Sequence, residues 1–260
     1  MSKYQKYKIM NFHIITLFPH IFDSYLNESI LGRGQREGKL KFNFYNPRDF
    51  ARPTEASARR AKVDKDYQKP YLRVDDKPYG GGAGMVLQAE PILKAFSKVE
   101  KKIKNIKKNK VVVFSAKGKP FDQKMAYDWS KKYNDIVFVT GRYEGIDERV
   151  TEILKAEEIS IGSYVLTDGD VAAMVVASAV GRLIPGVISL DSLKEESHWN
   201  LILGKEKDGT LGSHGLEYPH YTRPEVLIYK KKKYKVPAVL LSGDHKKIDE
   251  WRGRAQPPRL

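Results

Sequence analysis

The chain contains no cysteine among its 260 residues. A disulfide framework, a thiolate zinc site and a cysteine nucleophile are therefore all excluded. The first residues, MSKYQKYKIMNF, lack the long apolar run of a signal peptide, and the apolar segment 171–184 is too short to span a bilayer. We therefore expect a cytosolic, cytoplasmic protein without a membrane partner.

Acidic residues are in deficit. Asp and Glu number 32 against 47 Lys and Arg, which gives a net charge of +15 and a pI near 9.6. So large a positive charge favours a polyanionic partner, nucleic acid before membrane, and a lysine-rich solvated surface is the plainer alternative. Apolar residues make up 41% of the chain, enough for the core of one large domain or of a medium and a small one.

Predicted strands and helices alternate along most of the chain, which favours an α/β fold with a largely parallel sheet. Strands are predicted at 12–17, 39–45, 110–115 and 135–140, and helices at 19–27, 30–37, 90–108, from 121 onwards and at 171–184. The last helix is apolar on every side and is predicted to lie in the core. Residues 51–73 are predicted to form a mobile basic loop, and residues 187–215 a polar linker that orders on binding.

Two glycine-rich turns, residues 141–145 and 162–169, flank a short charged helix directly after the predicted strand 135–140. Such turns expose backbone amides and carbonyls with little side-chain cover, so they favour a small-molecule pocket lined by main chain. Each turn alone is equally typical of a purely structural connection. A third glycine-rich segment, 80–84, follows a proline and an acidic pair, which does not fit a Rossmann loop and favours close packing of a flat group or a flexible linker.

Seven stretches together resemble the bacterial tRNA (guanine-N1)-methyltransferases, the TrmD family, over about residues 10–252. They are LFPHIF at 17–22, PRDF at 47–50, VDDKPYGGGAGM at 74–85, GRYEGIDERV at 141–150 (with SIGSYVLTDGD at 160–170), IPGV at 184–187, PHYTRPEV at 219–226 and LLSGDH at 240–245. The resemblance implies a SPOUT-type α/β domain with a C-terminal trefoil knot, plus a small, mostly helical C-terminal domain. We accordingly expect a disordered lead-in at 1–10, the SPOUT domain at 11–188, a linker at 189–215 and a shortened tRNA-binding domain at 216–260.

The resemblance further implies a homodimer, with the active site at the subunit interface, that methylates N1 of guanosine 37 in tRNA. S-adenosylmethionine would be held in the knot, and a dependence on magnesium is implied for which the sequence offers only scattered carboxylates. Carried over by position, the cofactor residues are Phe114, Ser115, Ala116, Gly141, Tyr143, Glu144, Gly145, Ile161, Gly162, Ser163, Tyr164, Val165, Leu166 and Gly169. The guanine and tRNA residues are Tyr79, Gly84 and Met85 in a lid-like loop, and His220, Tyr221 and Arg223 facing the anticodon arm.

Methylation at N1 requires a base that removes the N1 proton and a cation or donor that stabilises the charge developing on O6. Arg182 matches the family's O6-stabilising arginine, although an arginine at a helix C-terminus also favours the helix dipole. The family's catalytic Asp falls on Glu196 with one gap and on Ser197 without a gap. Glu196 is therefore the predicted base, with Glu195 and His198 as alternatives.

The chain departs from the family pattern in the second turn, where Asp168 replaces a glycine and Ala172 a proline. The altered segment 194–199 and the shorter C-terminus leave a second interpretation open, a non-catalytic RNA-binding relative that has lost the base. A nonspecific basic nucleic-acid binder is a third, which the GRYEGIDERV stretch disfavours because phosphate binding alone needs no such pocket.

Overall fold

The computed structural model describes residues 8–53, 63–64, 69–70, 72–103, 108–189, 192–193 and 218–253. Contacts divide the chain into two compact units, Met1–Ser189 and Leu190–Leu260. Each unit is described by itself below. Among the residues so described, no helix has the length and apolar character needed to cross a membrane.

The first unit is built on a five-stranded sheet in which every pair of neighbouring strands is parallel. Its strands are β1 (Met10–Ile15), β2 (Leu40–Tyr45), β7 (Asn109–Pro120), β8 (Asp135–Val139) and β9 (Glu157–Ser160), in the spatial order β2-β1-β8-β7-β9. Two short antiparallel pairs stand outside it, β3 (Val63–Asp64) with β4 (Lys69–Pro70) and β5 (Asp75–Asp76) with β6 (Val86–Leu87).

Helices connect the strands, as a parallel sheet requires. They are α1 (Asp23–Leu26), α2 (Ser29–Arg36), α3 (Ala89–Glu100), α4 (Gln123–Lys132), α5 (Glu148–Leu154) and α6 (Gly169–Gly181), with 3-10 turns at Pro19–Phe22 and Pro47–Phe50. Helix α6 is apolar all round, and most of its residues are buried, which confirms its predicted place in the core.

Strand β8 shows why this sheet is covered on both faces. All five of its residues are buried, so its sequence DIVFV has no polar alternation. Val137 and Val139 belong to a core cluster that includes Phe96 of α3. Phe138 points to the other face, where its ring stacks on that of Phe12, 5.8 Å away between centroids.

Two predicted boundaries differ clearly from the structure, and one strand was not predicted. Helix α3 ends at Glu100 rather than at residue 108. The lysine-rich sequence begins directly after Glu100, and repulsion between neighbouring like charges opposes a helix there. The strand predicted at 110–115 extends to Pro120 as β7, which bulges because Phe114 and Lys119 both pair with Ile159 of β9. Strand β9 itself was not predicted, since four residues that begin with two glutamates carry little strand signal. The expected mobile loop 51–73 and the linker 187–215 lie mostly outside the described residues.

The described part of the second unit contains two strands and two helices. Strands β10 (Val226–Tyr229) and β11 (Lys232–Lys235) form an antiparallel hairpin, and helices α7 (Ala238–Leu241) and α8 (His245–Gly253) follow. Tyr218 and Tyr221 lie beside Trp251, and their ring centroids are 6.4 and 6.3 Å from that of the Trp251 ring. These contacts tie the PHYTRPEV stretch to the last helix.

Replacing Gly118 by alanine should destabilise the bulge of β7, because a Cβ at this position would lie 2.6 Å from the backbone nitrogen of Ile159. Since backbone cannot move aside cheaply, we expect Gly118→Ala to lower the free energy of unfolding by about 2 kcal/mol in urea denaturation. Lys119→Ala, an exposed change one residue away, is the control and should have little effect. Equal stabilities of the two variants would contradict the close approach of the strands.

Candidate functional site

A cavity of about 480 Å³ opens at the carboxyl ends of β8, β7 and β9, three neighbouring strands of the sheet. Crevices at this edge are where parallel α/β sheets bind their ligands. Four segments supply most of its lining: 113–117 at the bulge within β7, 141–146 after β8, 158–162 at the end of β9, and 164–169 before and at the start of α6. The bulge in β7 is what brings Ser115, Ala116 and Lys117 to the cavity.

The loop after β8 is held in place by main-chain hydrogen bonds. The Glu144 amide donates to the Met85 carbonyl, and the Leu87 amide donates to the Gly145 carbonyl, both at 3.0 Å. Tyr143 and Gly145 have positive φ angles of 60° and 130°, so the loop turns sharply and exposes its backbone. The end of the glycine-rich segment 80–84 is thereby fixed beside the cavity.

The loop before α6 meets the loop after β8 at a close backbone contact. The Gly169 amide donates to the Gly141 carbonyl at 2.9 Å, and a Cβ on Gly169 would lie 3.0 Å from the Gly141 nitrogen. Only glycine allows this approach without displacing backbone. Asp168 caps α6 by accepting from the amides of Asp170 and Val171. Asp168 is therefore the N-cap of α6.

A buried ion pair lies beneath these two loops. The Arg142 Nη2 donates to Asp170 Oδ2 at 2.9 Å, and the Thr16 hydroxyl donates to Asp170 Oδ1 at 2.7 Å. Asp170 is fully buried, and the Arg142 guanidinium lies 4.2 Å from the centre of the Phe18 ring. We call the Thr16, Arg142 and Asp170 contacts the buried brace, because they join the end of β1 to both loops of the cavity.

The charges around the cavity are mostly negative. Four carboxylates, those of Glu144, Glu148, Glu158 and Asp168, line it together with Lys117 and Arg142. The hydrogen bond to Glu148 raises the pKa of Lys117, so that side chain stays protonated. Next to the cavity, the hydrogen bond from Arg149 lowers the pKa of Asp147, the N-cap of α5. The lining therefore favours a ligand that carries positive charge.

Most of the predicted cofactor residues come together here. Every one of them except Ser163 lines the cavity. Sequence reasoning missed a further group of residues that also line the cavity. They lie on β7, the loop after β8, α5, the unpredicted β9 and the segment that leads into α6: Val113, Lys117, Arg142, Ile146, Glu148, Thr151, Glu158, Ile159, Ser160, Thr167, Asp168 and Ala172. The sequence spacing of Lys117 and Glu158 does not predict that they line one cavity, since their proximity depends on how β7 and β9 pair.

Other predicted residues lie elsewhere. Arg182 follows the C-terminal end of α6, whereas the cavity is at the N-terminal end of that helix. The Tyr79 side chain is fully exposed, and Gly84 and Met85 lie next to Glu144 without lining the cavity. His220, Tyr221 and Arg223 are in the second unit. The predicted base Glu196 and its alternatives Glu195 and His198 lie outside the described residues.

The magnesium that the resemblance implies has no evident binding site in the described part of the chain. No group of three or more His, Asp or Glu side chains that could hold a metal ion occurs among those residues. Three of the four cavity carboxylates instead form ion pairs, those of Glu148 and Glu158 with Lys117 and that of Asp168 with Arg142. No step of the chemistry below is assigned to a metal.

A parallel α/β sheet with a main-chain-lined cavity at the carboxyl ends of its strands defines a protein that binds a small ligand or cofactor there. The model of the family described as tRNA (Guanine-1)-methyltransferase TrmD matches residues 10–259. The chain belongs to this family.

Curated relatives agree. Proteins named tRNA (guanine-N(1)-)-methyltransferase from Carboxydothermus hydrogenoformans and Clostridioides difficile are 43% and 42% identical to this chain. Each alignment spans 243 residues and 94% of this chain, with 81% and 90% of the relatives' lengths covered. One from Anoxybacillus flavithermus is 42% identical over 246 residues, 94% of this chain and 85% of its own.

The buried brace should contribute strongly to stability. Asp170→Ala leaves the Arg142 charge without its buried partner, so we expect a loss of about 3 kcal/mol in the free energy of unfolding by urea. Arg142→Ala should cost a similar amount, and the double variant less than the sum by about 1–3 kcal/mol.

Arg149→Ala is the matched control for the brace, because Arg149 pairs with Asp147 in the same loop while mostly exposed. It should change stability by less than about 1 kcal/mol. Additive effects of the two brace substitutions would show that Arg142 and Asp170 are not energetically coupled.

Proposed function

We propose that this chain transfers a methyl group from S-adenosylmethionine to N1 of guanosine 37 in tRNA, next to the anticodon. The family match over residues 10–259 carries the proposal. The chain is an enzyme of the tRNA (guanine-N1)-methyltransferase family, and the position in the tRNA is the finer inference from the motifs. A tRNA substrate also agrees with the net charge of +15 and implies a cytoplasmic site of action.

The cavity fits the cofactor. Its volume of about 480 Å³ is within the usual range for small-molecule sites. Exposed backbone of the two loops can bind the adenine and ribose, Ile161 and Leu166 offer an apolar wall, and the surplus of carboxylates suits a cationic sulfonium. When bound, S-adenosylmethionine supplies a methyl group activated by its positive sulfur. We also propose that the two loops joined by Gly169 and Gly141 belong to the trefoil knot of the family.

Two side chains are proposed for the chemistry at guanine. Guanine N1 is protonated at neutral pH, so the carboxylate of Glu196 would remove that proton before or during methyl transfer. The Arg182 guanidinium would donate to O6, where negative charge develops as the proton leaves. Both side chains act on the guanine ring, and the cavity orients the methyl donor.

The position of Arg182 supports a site shared by two chains. Helix α6 has 13 residues and is therefore about 20 Å long, which separates Arg182 from the cavity of its own chain. On one exposed face of α6, Val171 and Val175 are 41% and 45% accessible, and the half-exposed Tyr25 donates to Ser178 on the same helix. An apolar strip of this kind suits a second copy of the chain. We propose a homodimer whose active sites lie at the interface.

The segment 75–85 is proposed to be the lid over cofactor and guanine. Its ends are closed by the pairing of β5 with β6, and four glycines between them, Gly80, Gly81, Gly82 and Gly84, have positive φ. Such a loop has a fixed base and a tip that few side chains constrain. In the second unit, His220, Tyr221 and Arg223 are proposed to contact the anticodon arm through stacking and phosphate bonds.

Single-turnover methyl transfer to a tRNA transcript with G at position 37 tests the reaction and the base together. We expect wild-type protein to methylate and Glu196→Gln to be slower by about a hundredfold or more, since the amide cannot accept the N1 proton. Glu195→Gln is the matched control and should retain most of the rate.

Two outcomes would change the assignment. A wild-type protein that binds S-adenosylmethionine and tRNA but transfers nothing is the non-catalytic RNA-binding relative. Full activity of Glu196→Gln removes that residue as the base. The rates of Glu195→Gln and His198→Asn then identify which of the two alternative groups acts.

Mixed dimers test whether the site is shared. Gly169→Val places a branched side chain against Gly141 and should abolish cofactor binding, and Arg182→Ala should abolish transfer. If Arg182 serves the partner's cavity, a heterodimer of the two variants has one site with both defects and one intact site. With random pairing about half of the dimers are heterodimers, and each has one intact site. The mixture should therefore show about a quarter of wild-type activity.

Co-expression with two affinity tags isolates the heterodimer, and calorimetry checks that only one cofactor binds to it. If Arg182 instead serves the cavity of its own chain, both sites of the heterodimer are defective and no activity returns. That result would contradict the shared site while leaving the reaction intact.

A further inference from the structure

The hairpin of the second unit has an unusual surface. All eight residues of β10 and β11 are exposed, although four of them in β10 are Val226, Leu227, Ile228 and Tyr229. Residues 226–235 contain five lysines and no acidic residue. The hairpin is thus both basic and apolar, with neither face covered within the described part of the chain.

The register divides these residues between the two faces. Leu227 pairs with Tyr234, and Tyr229 pairs with Lys232, so these four side chains share one face. The other face carries the pairs of Val226 with Lys235 and of Ile228 with Lys233. Lysines on alternate positions of β11 stand about 7 Å apart, and every face of the hairpin therefore presents an ammonium group.

The tip of the hairpin is built from residues that its geometry disfavours. Lys230 and Lys231 have φ angles of 49° and 63°, a left-handed conformation that two-residue turns normally fill with Asn-Gly. A lysine in this conformation is strained, because its Cβ lies too close to the following carbonyl oxygen. Two lysines in this place supply charge at an exposed turn, at the expense of turn stability, which indicates a binding role rather than a structural one.

We propose that the β10–β11 hairpin binds the sugar–phosphate backbone of the tRNA, as a contact separate from the residues assigned to the anticodon arm. Charge complementarity selects this occupant, since five ammonium groups without a carboxylate match a polyphosphate. Tyr229 and Tyr234 add hydroxyl groups for ribose and phosphate. The inference rests on the proposed function for the identity of the RNA.

Backbone contacts of this kind supply affinity without reading sequence. They raise the salt dependence of binding, because each neutralised phosphate releases counterions. The hairpin should therefore affect the dissociation constant of tRNA and the KM, and leave the single-turnover rate at saturating tRNA unchanged.

Lys230→Asn/Lys231→Gly removes two charges and at the same time supplies the preferred turn residues, so a loss of binding cannot come from an unfolded hairpin. We expect its tRNA dissociation constant, measured by fluorescence anisotropy, to rise about tenfold at low salt. The slope of log K against log salt should fall by about 2. Lys131→Gln/Lys132→Gln is the control, with two exposed lysines lost at the C-terminal end of α4.

A wild-type slope and affinity in the hairpin variant would overturn the proposal, as would an equal loss in the control. Loss of binding to anionic phospholipid vesicles without loss of tRNA binding would assign the hairpin to a membrane instead. The binding assay needs no methyl transfer. A wild-type protein that fails to methylate therefore refutes the proposed reaction, while the slopes still decide whether the hairpin contacts RNA.

Discussion

The hydrogen bond from the Gly169 amide to the Gly141 carbonyl joins the two loops on which the cavity depends. It requires a residue without a side chain at position 169, because a Cβ would lie 3.0 Å from the facing backbone nitrogen. The loop after β8 and the loop before α6 are far apart in sequence, and this contact makes them one wall. Everything proposed for the cofactor relies on that wall.

The buried brace supports this wall from below. Asp170 receives hydrogen bonds from Thr16 and Arg142, so the end of β1, the loop after β8 and the start of α6 share one fully buried carboxylate. A buried charge is costly unless all its partners are present, which fixes the three segments relative to each other. The glycines of the segment 75–85 lie between the pairing of β5 with β6 and the hydrogen bond from the Glu144 amide to the Met85 carbonyl, so flexibility is left to the tip of this segment.

The two ends of α6 have different roles in the proposed mechanism. Its N-terminal end belongs to the cavity, and Arg182 follows its C-terminal end. A single helix cannot bring both to one methyl group, since a helix of this length is rigid over about 20 Å. The proposed dimer resolves this separation by pairing the cavity of one chain with the arginine of another.

The sequence by itself determined the α/β class, the core helix and the family, because apolar periodicity and the ordered motifs are local properties. It also indicated almost all of the main-chain residues at the cavity, through the glycine turns and the family motifs. Only the tertiary structure decided that β9 pairs with β7, that the bulge brings Lys117 to Glu148 and Glu158, and that Arg142 reaches Asp170. Those contacts join residues distant along the chain, and a strand as short as β9 becomes stable only through the neighbour with which it pairs.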